Sequence, residues 1–254
     1  QLDLVFRNRP GKPPEVFVFH GGNQAIQAAL IGVAEDHRNR VGAATPATVL
    51  VPLPTFSCPM DQIALQGMQA YLLPPSDPGM DPDPGDLAGI PDGVDVDGVY
   101  IMPVNNPTGR TFEPGRLRAF IEEVLDRWPH AGFILDSVYV RLHPKYSELL
   151  AWFEDDPRFA DSIIFIDSLS KSHGVTGLRS GALLTRSKRL RGGVVRYAQN
   201  VMAGPSNAMQ AVVLGLIGPH ASGEEEFSDY LIRLQVRIGR HLQRRRQLLL
   251  RDAF

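Results

Sequence analysis

Apolar residues follow two rhythms along this chain. Short runs rich in Val, Ile and Leu alternate with longer stretches whose apolar positions recur every three or four residues. The short runs predict strands at Val16 to Phe19, Thr48 to Val51, Ala70 to Leu73, Gly98 to Met102, Gly132 to Leu135, Ile163 to Ile166 and Gly181 to Leu184. Several are apolar almost throughout, as strands buried on both faces are. The longer stretches predict helices at Asn23 to Asn39, Pro114 to Trp128, Ser187 to Val201 and Ser206 to Ile217. Glu113-Pro114 suits a helix start, because Pro is tolerated in the first turn. Strands alternating with helices predict an α/β fold with a mainly parallel sheet covered by helices.

Two segments stand apart. Pro74 to Gly98 is rich in Pro, Gly and Asp and reads as a surface loop rather than a linker, since strand-like sequence resumes at Val99. From Gly223 onward the spacing of Phe227, Leu231, Leu234, Ile238 and Leu242 predicts one long helix. Glu224, Glu225 and Glu226 open it, and Arg244, Arg245 and Arg246 lie in its far part, both placed to suit the helix dipole. The expected division is a domain over 1–222 and a helix over 223–254 leading out of it.

Composition narrows the function classes. The 254 residues suffice for one large α/β core, and 43% hydrophobic with 21% charged residues is the balance of an ordinary soluble protein. A formal net charge of -2 provides no global basic field for nucleic acid or an anionic membrane, so neither partner is expected. The Arg cluster then reads as a solvated helix end. No apolar run approaches the roughly 18 residues of a membrane span. Cys58 is the single cysteine, so an intrachain disulfide and a cysteine-based zinc site are excluded, and no metal is expected. The N-terminus carries neither Met nor a charged-then-apolar leader, which reads as a trimmed or interior start with the cytoplasm as default location.

Candidate chemistry lies just beyond the predicted strand ends, where open parallel sheets place ligand sites. Gly21-Gly22-Asn23 follows the first strand and opens a helix; glycines there allow backbone N–H groups to approach an anion, although such pairs also occur for steric reasons. Asn105-Asn106-Pro107-Thr108-Gly109 follows the fourth strand and by itself reads as a turn. Asp136 ends the fifth strand, with Tyr139 three residues on; a carboxylate at so crowded an edge needs a cationic partner. Ser168-Leu169-Ser170-Lys171 follows the sixth, with Arg179 eight residues beyond the lysine. A lysine directly after a buried strand is unusual. Two hydroxyls, an amine and a guanidinium could together grip a phosphorylated aldehyde, the amine forming a Schiff base.

Asn106-Pro107-Thr108-Gly109, Asp136-x-x-Tyr139 and Ser168-x-Ser170-Lys171 with Arg179, in this order, resemble the signature set of the class I/II aminotransferases, the fold-type I pyridoxal-phosphate enzymes. The resemblance covers nearly the whole chain, implies one three-layer α/β/α sandwich around a mixed, mostly parallel seven-stranded sheet, and makes 1–222 a cofactor-binding large domain. It implies that Lys171 carries the cofactor, pyridoxal 5'-phosphate, as a Schiff base and later moves the substrate's α-proton. Asp136 would keep the pyridine nitrogen protonated, while Asn106 and Tyr139 would hydrogen-bond the ring's phenolic oxygen. Gly21, Gly22, Asn23, Ser168, Ser170 and Arg179 would bind the phosphate, and Phe56 would stack on the ring. The implied substrates are an amino acid and a 2-oxo acid, and the implied assembly is a homodimer.

Departures from that pattern also count. Ser137 stands where many relatives carry an acidic residue, and no residue maps onto the arginine of the small C-terminal domain that clamps the substrate carboxylate. His20 and His173 flank the expected pocket and read as structural, as does Cys58. Other readings stay open: a lyase, decarboxylase or oxidase using the same cofactor, a non-catalytic sensor domain of this type, and a nucleotide-binding domain using Gly21-Gly22. The last lacks the G-x-G-x-x-G spacing.

Overall fold

The computed structural model describes residues 14–76, 78–143 and 157–222, together with 237, 240, 244, 245 and 247. Seven strands form one sheet: β1 (Glu15–Phe19), β2 (Thr48–Pro52), β3 (Gln69–Leu73), β4 (Gly98–Ile101), β5 (Gly132–Asp136), β6 (Ile163–Ser168) and β7 (Gly181–Thr185). Their order across the sheet is β1-β7-β6-β5-β4-β2-β3. Strand β7 runs antiparallel to both β1 and β6, and all other neighbours are parallel. The C-terminal ends of the six other strands therefore share one sheet edge, where β7 begins. Periodicity located each strand to within two residues at either end.

The helices are α1 (Gly22–Val41), α2 (Cys58–Leu65), α3 (Pro114–Arg127), α4 (Pro157–Ser162), α5 (Leu169–Ser172), α6 (Lys188–Tyr197) and α7 (Asn207–Ser222). Beyond Tyr197 the winding loosens into a π-helical turn, Ala198–Met202, so the helix expected as far as Val201 changes its hydrogen bonding on the way. The long helix expected from Gly223 lies largely outside the described residues, Phe227, Leu231, Leu234, Ile238 and Leu242 included; the five described positions there are helical.

Alternation along the strands creates two cores. Val99 and Ile101 of β4, Phe133 and Leu135 of β5, and Ile163 and Phe165 of β6 join Leu117, Phe120, Ile121 and Val124 of α3 on one face. Tyr100, Ile134, Ile164 and Ile166 join Ile26, Leu30 and Val33 of α1 and Leu190 and Val194 of α6 on the other. Each fully buried Leu, Ile or Phe contributes about 1.5–3 kcal/mol relative to its exposure. Helices on both faces of the sheet give the three layers expected.

The segment from Pro74 to Gly98 is a surface loop pinned to α3. Asp83 and Asp86 cap a 3₁₀ turn, Pro84–Gly89, and Arg116 of α3 donates to Asp83 Oδ2 at 2.9 Å. Arg127 donates to the carbonyls of Leu87 and Ile90, and Trp128 Nε1 to that of Val94. These bonds satisfy loop carbonyls that a free linker would leave to water.

Candidate active site

The pocket opens at the common C-terminal edge, on the α1 face. Asn23 and Ile26 line it from α1, together with Gly22. Phe56 comes from the loop after β2, Met102 and Asn106 from the turn after β4, and Asp136, Val138 and Tyr139 from the end of β5. Ser168, Ser170, Lys171, Thr176 and Arg179 complete it between β6 and β7. Of the eleven candidate residues, only Gly21 does not line the pocket; it lies directly under Arg179. His20 and His173 do not line it; the ring Nδ1 of His173 is 2.8 Å from Ser172 Oγ. Cys58 is half-buried in the first turn of α2.

One side of the pocket is formed by the start of α1. Gly21 precedes helix α1 as its N-cap, with φ 90° and no side-chain cap, and no acidic residue occupies the first turn. Its first N–H groups therefore carry the positive end of the helix toward the pocket. Gly181 packs so closely on the Gly21 carbonyl carbon that any side chain at 181 would collide with it.

Opposite α1, Ser168 closes β6 and begins α5. Its hydroxyl donates to Ser180 O at 2.8 Å and accepts from Ser170 N at 3.2 Å. The hydroxyl proton of Ser168 is thus spent inside the protein, where it holds the turn that carries Ser170 and Lys171. Thr176 donates to Ser170 O at 3.1 Å, tying the Arg179 loop to that turn. Arg179 has left-handed backbone, φ 52°, and an exposed side chain. Lys171 is exposed, its Nζ 5.6 Å from the centre of the Tyr139 ring.

Asp136 is 2% exposed. Its Oδ2 accepts from Tyr100 Oη at 2.7 Å and its Oδ1 from Val138 N at 3.3 Å. Burial pushes its carboxyl up to about 6, the two hydrogen bonds hold it down, and Asp167 adds a smaller upward push. Among the described residues no cation pairs with Asp136; its partners there are the Tyr100 hydroxyl and the Val138 N–H. Ser137 is buried, its N–H bonded to Ile166 O, and adds no charge beside Asp136.

The pocket residues are held by side chains behind them whose supporting roles the sequence did not reveal. Asn105 donates to Pro54 O at 2.9 Å and accepts from Thr108 Oγ1 at 2.8 Å, fixing the turn that presents Asn106 against the loop that carries Phe56. Arg141 pairs with Asp167, whose other oxygen accepts Ser168 N at 2.8 Å, so the Tyr139 turn is tied to the end of β6. Tyr100 supports Asp136 from below. In the sequence Asn105 reads only as a turn residue and Tyr100 as a core one, because Pro54 and Asp136 lie 51 and 36 residues away.

A concave site at this edge of an α/β/α sheet, lined by Lys171, Arg179 and the buried Asp136, lies where open α/β sheets take small ligands. The sequence pattern of the family Aminotransferase class I and II matches residues 8–250, and the chain belongs to that family, whose members depend on pyridoxal phosphate. Histidinol-phosphate aminotransferases of Salmonella paratyphi B and Salmonella typhimurium are each 22% identical over 178 residues, covering 70% of this chain and 44% of theirs. The matched stretch thus spans less than half the length of those relatives. Among solved structures it resembles N-succinyldiaminopimelate aminotransferase from Mycobacterium tuberculosis, with TM-score 0.73, 21% identity, and coverage of 98% of this chain and 60% of that one. Aspartate aminotransferase from Thermus thermophilus with maleate gives TM-score 0.71 at 18% identity, covering 93% of this chain and 56% of that one.

The pocket's own donors fit that cofactor. Ser170, Arg179 and the start of α1 suit a phosphate, and Lys171 supplies a primary amine. A buried carboxylate without a cation suits a protonated ring nitrogen.

Proposed function

We propose that this chain carries the cofactor-binding part of a pyridoxal-phosphate-dependent aminotransferase that passes the amino group of an amino acid to a 2-oxo acid. The observation that carries the reading is convergence: Asn23, Asn106, Asp136, Tyr139, Lys171 and Arg179 come from the ends of four strands and line one pocket. When bound, pyridoxal phosphate supplies an electron sink for the bond broken at the substrate's α-carbon. Gly21, Gly22, Asn23, Ser170 and Arg179 would hold its phosphate, with Ser168 acting through the turn it caps. Asp136 would face the ring nitrogen and keep it protonated, Asn106 and Tyr139 would bond the phenolic oxygen, and Phe56 would stack on the ring. Lys171 Nζ would attach the cofactor covalently and, once freed by the substrate amine, take the α-proton.

On this reading residues 1–222 belong to the cofactor domain of a cytoplasmic enzyme, and most of 223–254 lies outside the described residues. No helix among the described residues is long and apolar enough to cross a membrane. A homodimer is part of the proposal, supported by apolar side chains left uncovered on and beside α7: Val201, Val212 and Leu214.

The test is an absorbance titration with pyridoxal phosphate on wild type and Lys171→Ala. A visible band in the wild type that borohydride abolishes, with a pyridoxyl group then found on Lys171 by mass spectrometry, is expected; Lys171→Ala should give neither. A folded wild type without the band would overturn the reading. Keto acid formed from a bound amino acid supports transfer, whereas released ammonia, carbon dioxide or a thiol would reassign the reaction.

A further inference from the structure

Tyr100 takes no part in lining the pocket, yet it is bonded to the pocket's only buried carboxylate among the described residues. It lies on β4 opposite Ile134, two residues short of Asp136 on the neighbouring strand. Residues two apart on a strand face the same side. The long phenol therefore leans along the sheet and reaches the strand end with its Oη, 2.7 Å from Asp136 Oδ2. Its ring is wholly buried among the α1-side core residues.

We infer that Tyr100 is a positioning residue for the cofactor site: its phenol donates permanently to Asp136 and keeps that carboxylate ionised and oriented toward the ring nitrogen. This rests on the pyridoxal-phosphate reading above. A buried carboxylate with no cation takes up a proton readily, and a protonated Asp136 could not hold a protonated ring nitrogen. Val138 N occupies Oδ1 and Tyr100 occupies Oδ2, so the carboxylate plane is held from two sides. Burial and the neighbouring carboxylate both push the Tyr100 phenol well above its ordinary range, so it stays a donor at any working pH. The other titratable groups facing this pair are Asp167 from β6, Tyr139 from the turn after β5 and Cys58 at the start of α2. Lys171 and Arg179 share the pocket, and α1 turns Asn23 and the apolar Ile26 toward it.

The experiment is the pH dependence of pyridoxal-phosphate affinity in the full chain, for wild type, Tyr100→Phe, Asp136→Asn and the double variant. The cofactor's own ionisations are common to all four and cancel in ratios of dissociation constants. Losing a donor to a charged acceptor should raise the Asp136 carboxyl by about one unit, which is about tenfold in the equilibrium. The Tyr100→Phe to wild-type ratio should therefore climb toward about tenfold as pH falls from about 8 to about 5. In the Asp136→Asn background the same ratio should stay flat. A merely structural Tyr100 would give one pH-independent ratio in both backgrounds, and that result overturns the inference. Failure of wild type to bind at Lys171 would instead overturn the parent reading. Should Tyr100→Phe not fold, incorporation of 3-fluorotyrosine into a Tyr139→Phe chain replaces it. The more acidic phenol is a stronger donor and must move the low-pH weakening to lower pH; no movement counts against the inference.

Discussion

The guanidinium of Arg179 lies over the α-carbon of Gly21, so that a Cβ at residue 21 would stand 2.5 Å from Arg179 Nη2. One glycine thus serves two needs, since its φ of 90° is also closed to most side chains. Gly21→Ala should strain the start of α1 by about 1–2 kcal/mol and push Arg179 out of place. Expected is a loss of about tenfold or more in pyridoxal-phosphate affinity, at about 1.4 kcal/mol per decade, with the melting temperature lowered by a few degrees. Fluorescence titration with the cofactor measures it; unchanged affinity would remove Gly21 and Arg179 from the phosphate site.

The Asp136 carboxyl, raised to about 6, lies above its unfolded value of about 3.9. Between these values the folded chain holds more protons than the unfolded one, so its stability falls as pH rises through the window and stays low above it. Asp136→Asn removes this cost. The cofactor-free variant should unfold with the same free energy as wild type near pH 4 and with up to about 3 kcal/mol more near pH 7.5. Urea unfolding at the two pH values tests the sign. A variant less stable at the higher pH would mean that Asp136 is ionised at no cost in the folded chain.

At the opposite edge of the sheet, Asp97 precedes β4 and collects three donors. His37 Nδ1 is 2.8 Å from its Oδ1, Thr48 N donates to its Oδ2 at 2.8 Å, and Arg40 pairs with it. The carboxylate is buried, and His37 and the Thr48 N–H would lose their partner with it. Asp97→Ala should cost about 3–5 kcal/mol of stability, the range for breaking a buried ion pair. The cofactor band should persist in whatever fraction stays folded, because Asp97 lies at the strand starts and the pocket at the strand ends. Chemical denaturation and the absorbance spectrum of one sample separate the two effects.

How much of this was legible in the sequence differs by element. The strands were, because short apolar runs such as Phe133-Ile134-Leu135 are buried on both faces and end abruptly, here between Gly132 and Asp136. Strand direction was not: periodicity is the same forwards and backwards, so the antiparallel β7 emerged only from its pairing with β1 and β6. Helix α2 escaped because eight residues after a proline-rich stretch present too few turns for a period. The pocket residues were legible through spacing that packing alone does not explain. Their supports were not: Tyr100 is one more apolar position in a buried strand until a partner 36 residues away gives its hydroxyl a task.

Helix α7 supplies the last test. Over the positions described, Ala208, Ala211, Val212 and Leu214 are exposed, and Leu214 keeps 65% of its surface in water. Val201, just before it, keeps 67%. Apolar side chains grouped in this way mark surfaces that another chain or segment covers. If the cover is a second copy of this protein, Leu214→Asp places a charge against an apolar partner. The dissociation constant of the dimer should then rise by about tenfold or more, roughly 1.4 kcal/mol. The fold itself should change by no more than about 0.5 kcal/mol, because residue 214 is exposed within one chain. Sedimentation velocity across a concentration series reads the first effect and a thermal melt under monomeric conditions the second. A wild type that sediments as a monomer at every concentration would exclude the homodimer, and Leu214→Asp would then leave sedimentation unchanged.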